Sequence, residues 1–200
     1  MVACVPYFCQ WESRLLAADI ISGEKTVSED PLWINSGARC VDEYALWANH
    51  VCGMACLKML LAAKTGLVHS TFSLLEKALA YGAYVVDGES IHGMIYAPAI
   101  EMLNKEFGLK AQIVTGISAE EIKPMFTDGH FFIASVHPSI RWPEQEPPKK
   151  GGHLVLVTDA TDDFLKFHNP SGHNSHSQEN VVMNAESFGR YFAGRGVLIR

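Results

Sequence analysis

The sequence predicts an α+β domain, because segments with helical periodicity come first and short apolar strands follow. Between residues 52 and 107, apolar side chains recur every three or four positions, which is the period of an amphipathic helix. After residue 110, short apolar runs are bounded by Gly, Pro or Asp and are typical of strands. Helices followed by strands of antiparallel type indicate an α+β domain.

The helices and strands can be placed in chain order. Val5 to Gln10 is predicted to be extended, and residues 11–49 contain turn signals that indicate loops around one or two short helices. Helices are predicted over Cys52–Thr65, Thr71–Tyr81, Gly93–Phe107, residues 118–126 and Asn184–Ala193. Strands are predicted over Lys110–Val114, His130–Val136, His153–Asp159, Phe164–His168 and Val197–Ile199.

Length and composition favour one globular domain over residues 1–200. The 200 residues are 48% hydrophobic, which is enough to bury a sizeable core. A formal net charge of -6 gives no electrostatic reason to expect nucleic acid or an acidic membrane as a partner. No apolar stretch approaches the ~20 residues that span a bilayer, and no signal peptide is recognised. We therefore expect a cytoplasmic enzyme, with a trimmed secreted protein as the alternative.

Cys52 is the first candidate for chemistry, because it opens a predicted helix. Free backbone N–H groups and the positive end of the helix dipole favour an anion at this position. A cysteine there is expected to have a lowered pKa, and the thiolate is its nucleophilic form. Cys56 lies one turn later on the apolar face and is expected to be an ordinary buried cysteine. The spacing of the five cysteines does not indicate a disulfide framework.

A cysteine nucleophile needs a base, and the base needs a group that fixes its tautomer. His153 opens a buried strand after Gly151-Gly152, and Asn169 ends the next strand. If the two strands form a hairpin around residues 161–163, His153 and Asn169 become neighbours at one rim of the sheet. Asp159 and Asp162 are alternative partners for the histidine.

An amide-cleaving enzyme also needs donors to a developing oxyanion. Gln10 lies in an extended segment ahead of the nucleophile and has a side-chain amide that can donate. The backbone N–H of Cys52 is the second predicted donor. Asn49 is the alternative to Gln10.

A zinc site is the competing interpretation of the histidines near the carboxyl end. His168, His173 and His176 are close in sequence, and Cys52 with Cys56 could add ligands. However, an HxxH pair in a loop of Ser, Asn and Gly lacks the paired-cysteine or helix-borne spacing of known zinc sites. We therefore predict no metal and no cofactor.

Four segments resemble, in order, the motifs of C39-like cysteine peptidases, which belong to the papain-like superfamily. They are VPYFCQ at residues 5–10, CGMACLKM at 52–59, GHLVLV at 152–157 and HNP at 168–170. The resemblance implies a papain-like fold with the nucleophile helix packed on an antiparallel sheet. It implies Cys52 as nucleophile, His153 as base, Asn169 as orienting residue and Gln10 as oxyanion donor.

The chain departs from the family pattern at three places. About forty residues separate Gln10 from Cys52, so residues 11–49 are interpreted as an insertion that borders the cleft and restricts which substrates enter. Asn169 stands where the family often has Asp, and Met54 replaces a usual Pro. The expected activity is hydrolysis of a peptide or protein substrate by a thiol protease. The alternatives are acyl transfer or deamidation on the same fold, or a non-catalytic peptide-binding module.

Overall fold

The computed structural model describes residues 5–88, 90–126 and 129–200. Helices α1 to α7 span Ala17–Ser22, Val41–Trp47, Cys52–Thr65, Thr71–Ala80, Tyr96–Phe107, Ser175–Gln178 and Ala185–Tyr191. Strands β1 to β8 span Val85–Asp87, Ser90–His92, Ala111–Thr115, Phe131–Val136, His153–Ala160, Leu165–His168, Val181–Met183 and Phe192–Ile199. Short 3-10 turns occupy Arg14–Leu16, Val27–Glu29, Trp33–Ser36, Glu120–Met125 and Pro138–Arg141.

In the described chain, six strands form one antiparallel sheet. Its strand order is β3-β8-β4-β5-β6-β7, while β1 and β2 form a separate hairpin. The apolar run at the start of β5 therefore lies inside the sheet, as its sequence predicts. The α+β class is confirmed.

Alternate residues of the central strands supply two apolar layers, one on each face of the sheet. Ile133, Leu154 and Leu156 face the layer that contains α3, α4 and α5. Phe132 and Val155 face the layer that contains α7. Because side chains alternate along a strand, both faces of β4 and β5 are buried. Helix α3 therefore packs against one face of the sheet, in the same apolar layer as β4 and β5.

Helix α3 has the predicted bounds, whereas several other predicted bounds are wrong. The carboxyl-terminal strand begins at Phe192, although residues up to Ala193 were expected to be helical and the strand was expected from Val197. Gly194 and Gly196 interrupt its apolar pattern, which hides the strand in the sequence. A Cβ on Gly196 would lie 2.3 Å from the carbonyl oxygen of Ile133, so close strand packing requires glycine there.

Other differences have similar local causes. The segment predicted as a helix at residues 118–126 is a 3-10 turn that contains Pro124, which has no N–H to donate. Helix α5 begins at Tyr96 instead of Gly93. Strands β1, β2 and β7 are only three residues each, which is shorter than the apolar runs of about four to eight residues that predict a strand.

Residues 11–49 fold around the buried carboxylate of Asp30. Its oxygens accept hydrogen bonds from the backbone N–H and hydroxyl of Ser13, from the Tyr44 hydroxyl and from the backbone N–H of Leu32. Burial alone would raise the pKa of Asp30, but the hydrogen bonds from Ser13 and Tyr44 outweigh it and hold the pKa below its usual value. Ser13, Leu32 and Tyr44, from three parts of the segment, therefore contact the same carboxylate.

A second buried charge attaches this segment to α3. Lys58 Nζ lies 3.4 Å from Glu12 Oε1, and Thr71 donates to the same oxygen at 3.1 Å. Trp11, Tyr44 and Trp47 belong to the same apolar cluster as the buried face of α3. The segment is therefore packed into the core and is not a peripheral loop.

Within the described ranges, no single helix is long and apolar enough to cross a bilayer. Helices α2 and α3 reach that length and composition only as a pair, and the two axes are bent by 97°.

We predict that Asp30→Asn destabilises the protein by about 2 kcal/mol, because an amide cannot accept all the hydrogen bonds that the carboxylate accepts. Urea unfolding at pH 7 measures the loss. The difference from wild type should shrink as the pH falls through the folded pKa of Asp30, since stability from a carboxylate with a lowered pKa is lost on protonation. Asp42→Asn, at an exposed position, is the control. Equal stability of both variants would contradict this role of Asp30.

Candidate active site

Cys52 is the first residue of α3 and lies against the beginning of β5. The backbone N–H groups of Leu154, Gly53 and Cys52 itself lie near its sulfur and favour its thiolate form. One turn later, fully buried Cys56 donates its S–H to the carbonyl oxygen of Leu154 at 3.7 Å. Cys56 lies in the core, as predicted, whereas Cys52 lines a cavity.

His153 and Asn169 are joined by a hydrogen bond of 2.8 Å between Nε2 and Oδ1. Strands β5 and β6 pair antiparallel, with Leu156 opposite His168, so the start of one strand meets the end of the other. The backbone N–H of Ser171 donates to the same Asn169 oxygen at 3.1 Å, which sets the orientation of the amide. Both side chains are buried.

The two aspartates considered as alternatives are engaged elsewhere. Asp159 accepts from the backbone N–H of Ala160, and Asp162 forms an ion pair of 2.6 Å with Lys123. Asn169 is therefore the residue that holds the ring of His153.

Two further residues, Ser171 and Arg141, belong to this network and were not identified from the sequence. The Ser171 hydroxyl lies 3.0 Å from His153 Nε2 and accepts a hydrogen bond of 2.7 Å from Arg141 Nη2. Arg141 is buried and also donates to the carbonyl oxygen of Pro138. Ser171 follows the HNP motif directly, which is a weak signal. Arg141 lies in a proline-rich loop, and nothing in the neighbouring sequence identifies it as part of the site.

The contacts of His153 determine which ring nitrogen carries the proton in the neutral form. Asn169 Oδ1 can only accept, so Nε2 is the protonated nitrogen. Nδ1 is then the basic atom of the ring. This is the tautomer that a general base requires when a carboxamide orients it from the opposite side.

Burial dominates the protonation of both candidate catalytic groups. It lowers the pKa of His153 to about 3, with Arg141 acting in the same direction and the hydrogen bond to Asn169 opposing it. Burial raises the pKa of the Cys52 thiol above its usual value, although the backbone N–H groups and Arg141 lower it. The expectation of a lowered pKa for Cys52 is wrong, because desolvation outweighs the helix terminus. Burial thus favours the thiol form of Cys52 and the neutral imidazole form of His153.

Gln10 reaches the site despite the forty residues that separate it from Cys52. Its backbone N–H donates to the carbonyl oxygen of Pro170 at 2.9 Å, and Tyr7 and Cys9 hold the same segment to residues 169 and 170. The buried Gln10 amide donates to the carbonyl oxygen of Ala48 at 3.2 Å and lines a cavity together with Cys52. One of its two N–H bonds is used by Ala48.

The alternative residue, Asn49, lines the same cavity but is oriented by another contact. Its Oδ1 accepts a hydrogen bond of 3.0 Å from the Trp11 indole. Asn49 is exposed, whereas Gln10 is buried next to the strand end that carries Asn169.

Cys52 and His153 lie where two adjoining cavities meet. The larger one, about 520 Å³, includes Met94, Tyr96 and Arg195, and the smaller one, about 380 Å³, includes Gln10 and Arg141. Cys52, His153, Gly93 and Gly152 line both. We refer to the two cavities together as the cleft.

Residues 11–49 contribute a wall of the smaller cavity. Trp11, Ile20 and Ile21 line it together with Cys52 and His153. The segment therefore borders the cleft, on the side where Gln10 lies.

The three carboxyl-end histidines are held separately. His168 contacts the carbonyl oxygen of Val5 and accepts from the backbone N–H of Asn180. His173 contacts Ser177, and His176 is exposed. Among the described residues, no three His, Cys, Asp or Glu side chains converge as metal ligands. Cys9, Cys40, Cys52 and Cys56, all within the described ranges, are free thiols; Cys4 lies outside them.

Similarity to known proteins is found at the level of the three-dimensional structure. No protein-family model matches the chain, and no curated protein matches it. Among solved structures, the peptidase domain of Streptococcus ComA, a bifunctional ABC transporter involved in quorum sensing, matches with a TM-score of 0.50 and 16% identity. The match covers 76% of this chain and 91% of that domain.

A second solved structure, described as a C39-like peptidase from Bacillus anthracis, matches with a TM-score of 0.54 and 14% identity. That match covers 76% of this chain and 89% of the other. The chain has the fold of a C39 peptidase domain. The fold implied by the sequence motifs is therefore confirmed, while identities this low leave the activity to be argued from the site.

We predict that alkylation of Cys52 by iodoacetamide accelerates with rising pH and is still rising at about pH 8.5, the ordinary pKa of a cysteine. The reason is that burial keeps the thiol protonated at neutral pH. Mass spectrometry of digested protein measures the rate at each cysteine, with exposed Cys40 as internal reference and buried Cys56 expected to stay unmodified. A rate plateau between pH 5 and 7 would indicate a thiolate–imidazolium pair and contradict this account.

Proposed function

We propose that this protein is a cysteine peptidase in which Cys52 is the nucleophile, His153 the general base and Asn169 the residue that orients the base. The observation that carries the proposal is the 2.8 Å hydrogen bond from His153 to Asn169, at a cleft that Cys52 lines from the start of α3. The similarity in fold to solved C39 peptidase domains supports the proposal independently.

The protonation states specify how the reaction begins. Because burial favours the uncharged form of both groups, the S–H proton of Cys52 passes to Nδ1 of His153 as the sulfur attacks the amide carbon. The imidazolium then donates this proton to the leaving nitrogen as the C–N bond breaks, which leaves a thioester on Cys52. Water, deprotonated by His153, attacks the thioester and releases the carboxylic acid and the free thiol.

Asn169, Ser171 and Arg141 maintain the tautomer that this mechanism needs. The Asn169 oxygen accepts a hydrogen bond from Nε2–H of His153, and the backbone N–H of Ser171 donates to that same oxygen. The positive charge of Arg141 lowers the pKa of both His153 and Cys52, which favours a neutral base and a thiolate. These three are positioning residues, since they act through His153.

The oxyanion of the tetrahedral intermediate is assigned to two donors. One is the backbone N–H of Cys52, which as the first residue of α3 has no carbonyl partner inside the helix. The other is the second N–H of the Gln10 amide, the first being directed at Ala48. Preorganised donors of this kind contribute to rate because they need no rearrangement when charge develops.

The nucleophile assignment predicts that Cys52→Ala lowers peptide cleavage by at least about 10³-fold, since removal of a nucleophile leaves only binding and oxyanion stabilisation. Cleavage is measured on a peptide library with wild-type protein and the variant. Cys40→Ala removes an exposed thiol and should cleave like wild type. Equal activity of Cys52→Ala and wild type would exclude this mechanism.

Adding a primary amine to the same assay separates hydrolysis from acyl transfer. Free carboxylic acids as products indicate a peptidase, whereas amides of the added amine indicate a transferase that uses the same thioester.

The oxyanion assignment predicts that Gln10→Ala lowers kcat by about 10²-fold with a small change in KM, because the donor acts mainly in the transition state. Asn49→Ala removes the acceptor for Trp11 and should change kcat by less than about tenfold. Circular dichroism checks that both variants are folded. If Asn49→Ala loses kcat and Gln10→Ala keeps it, the oxyanion donor is Asn49.

A further inference from the structure

Arg195 lines the larger cavity of the cleft together with the nucleophile. In addition to Cys52 and His153, this cavity is lined by Tyr96, Ser135 and His92. None of the described residues that line either cavity is Asp or Glu, although the chain has 22 acidic and 16 basic residues. A cleft that carries positive charge in an acidic protein attracts anionic ligands.

The backbone around Arg195 is built so that this side chain faces the cleft. Strand β8 pairs Gly196 with Ala134 and Phe192 with Val136, so three residues of β8 lie opposite Ser135 alone. Such a bulge redirects side chains from their regular alternation. Gly194 has φ of +66°, a conformation that favours glycine and that the bulge requires.

The guanidinium of Arg195 lies beside Gly151 at the cavity wall. A Cβ on Gly151, whose φ is +81°, would lie 3.6 Å from Arg195 Nη2 and 3.2 Å from the Ser135 hydroxyl. Arg195 therefore passes beside the backbone that leads directly to His153.

Within the described ranges, the neighbours of Arg195 include a polar hydroxyl. Burial raises the pKa of the Tyr96 hydroxyl, whereas Ser135 and Arg195, which lie near it, lower it less strongly. Among the described residues, no carboxylate forms an ion pair with Arg195. A guanidinium presents a planar fork of donors that matches a carboxylate.

We propose that Arg195, with the Tyr96 hydroxyl beside it, forms a subsite that binds a carboxylate of the substrate. This proposal rests on the proposed peptidase function and names its substrate class: peptides with Asp or Glu near the cleaved bond. The cavity of 520 Å³ is about 10 Å across if it is equally wide in all directions. Since an extended residue spans about 3.5 Å, the acidic residue lies within about three positions of that bond.

The test compares cleavage of a peptide library in which single positions are fixed as Glu or as Gln, prepared with amidated and with free carboxyl ends. Wild type is expected to prefer a Glu peptide over its Gln counterpart by about tenfold, the value of one charge-assisted hydrogen bond at a partly open site. Arg195→Gln should remove the preference, and Arg195→Lys should keep part of it. Arg200→Gln, an exposed arginine at the chain end, is the matched control and should keep it in full.

The outcomes distinguish failure of the subsite proposal from failure of the peptidase proposal. Cleavage without any preference for Glu over Gln, or a preference that persists in Arg195→Gln, overturns the subsite and leaves the peptidase proposal intact. A preference that requires a free carboxyl end and depends on Arg195 supports the subsite and assigns it to a terminal carboxylate.

If wild type cleaves no peptide, the peptidase proposal fails and binding decides the subsite. The same library is then selected on immobilised Cys52→Ala protein and on the double variant with Arg195→Gln. Retention of Glu peptides over Gln peptides that disappears in the double variant supports the subsite, and equal retention overturns it.

Discussion

The hydrogen bond between His153 and Asn169 depends on the antiparallel pairing of β5 with β6, and the other parts of the site are arranged around that pairing. The strand that begins with His153 is also the strand on which α3 packs, and the N–H of Leu154 contacts the Cys52 sulfur. Residues 7–10 attach to the chain at Asn169 and Pro170, so Gln10 arrives at the same place from a distant part of the sequence. One strand pair therefore positions His153, Asn169 and Gln10, the residues proposed as base, orienting residue and oxyanion donor.

Burial and charge act in opposite directions on the nucleophile. The helix terminus and Arg141 favour a thiolate, whereas removal of the sulfur from water favours the thiol, and the latter effect is larger. The same burial disfavours the protonated form of His153, so its free ring nitrogen is available to accept a proton. In the proposed mechanism, the thiol is therefore activated by transfer of its proton to His153 when substrate is bound.

The segment between Gln10 and Cys52 folds in a way that leaves Gln10 close to Cys52 at the cleft. The buried carboxylate of Asp30 organises it internally, and the pair of Glu12 with Lys58 attaches it to α3. It therefore forms a wall of the cleft without displacing the motif that precedes it. In the larger cavity, Arg195 follows the bulge in β8 and lines the cleft. Residues 11–49 contribute Trp11, Ile20 and Ile21 to the smaller cavity, whereas β8 contributes a guanidinium to the larger one.

The sequence by itself determined the α+β class, the bounds of α3, the central position of β5 and the four residues proposed for catalysis. These follow from local signals: helical periodicity, an apolar strand, and polar residues placed where elements begin or end. Four other features were decided only by the tertiary structure. They are the direction of the Cys52 pKa shift, the hydrogen bonds that join Ser171 and Arg141 to His153, the contact of His153 with Asn169 instead of an aspartate, and the position of Arg195 at the cleft. Each of these depends on desolvation or on contacts between residues far apart in the chain. The Cys52 pKa illustrates the reason most clearly, because the helix start is visible in the sequence whereas the burial that outweighs it arises only from packing against β5.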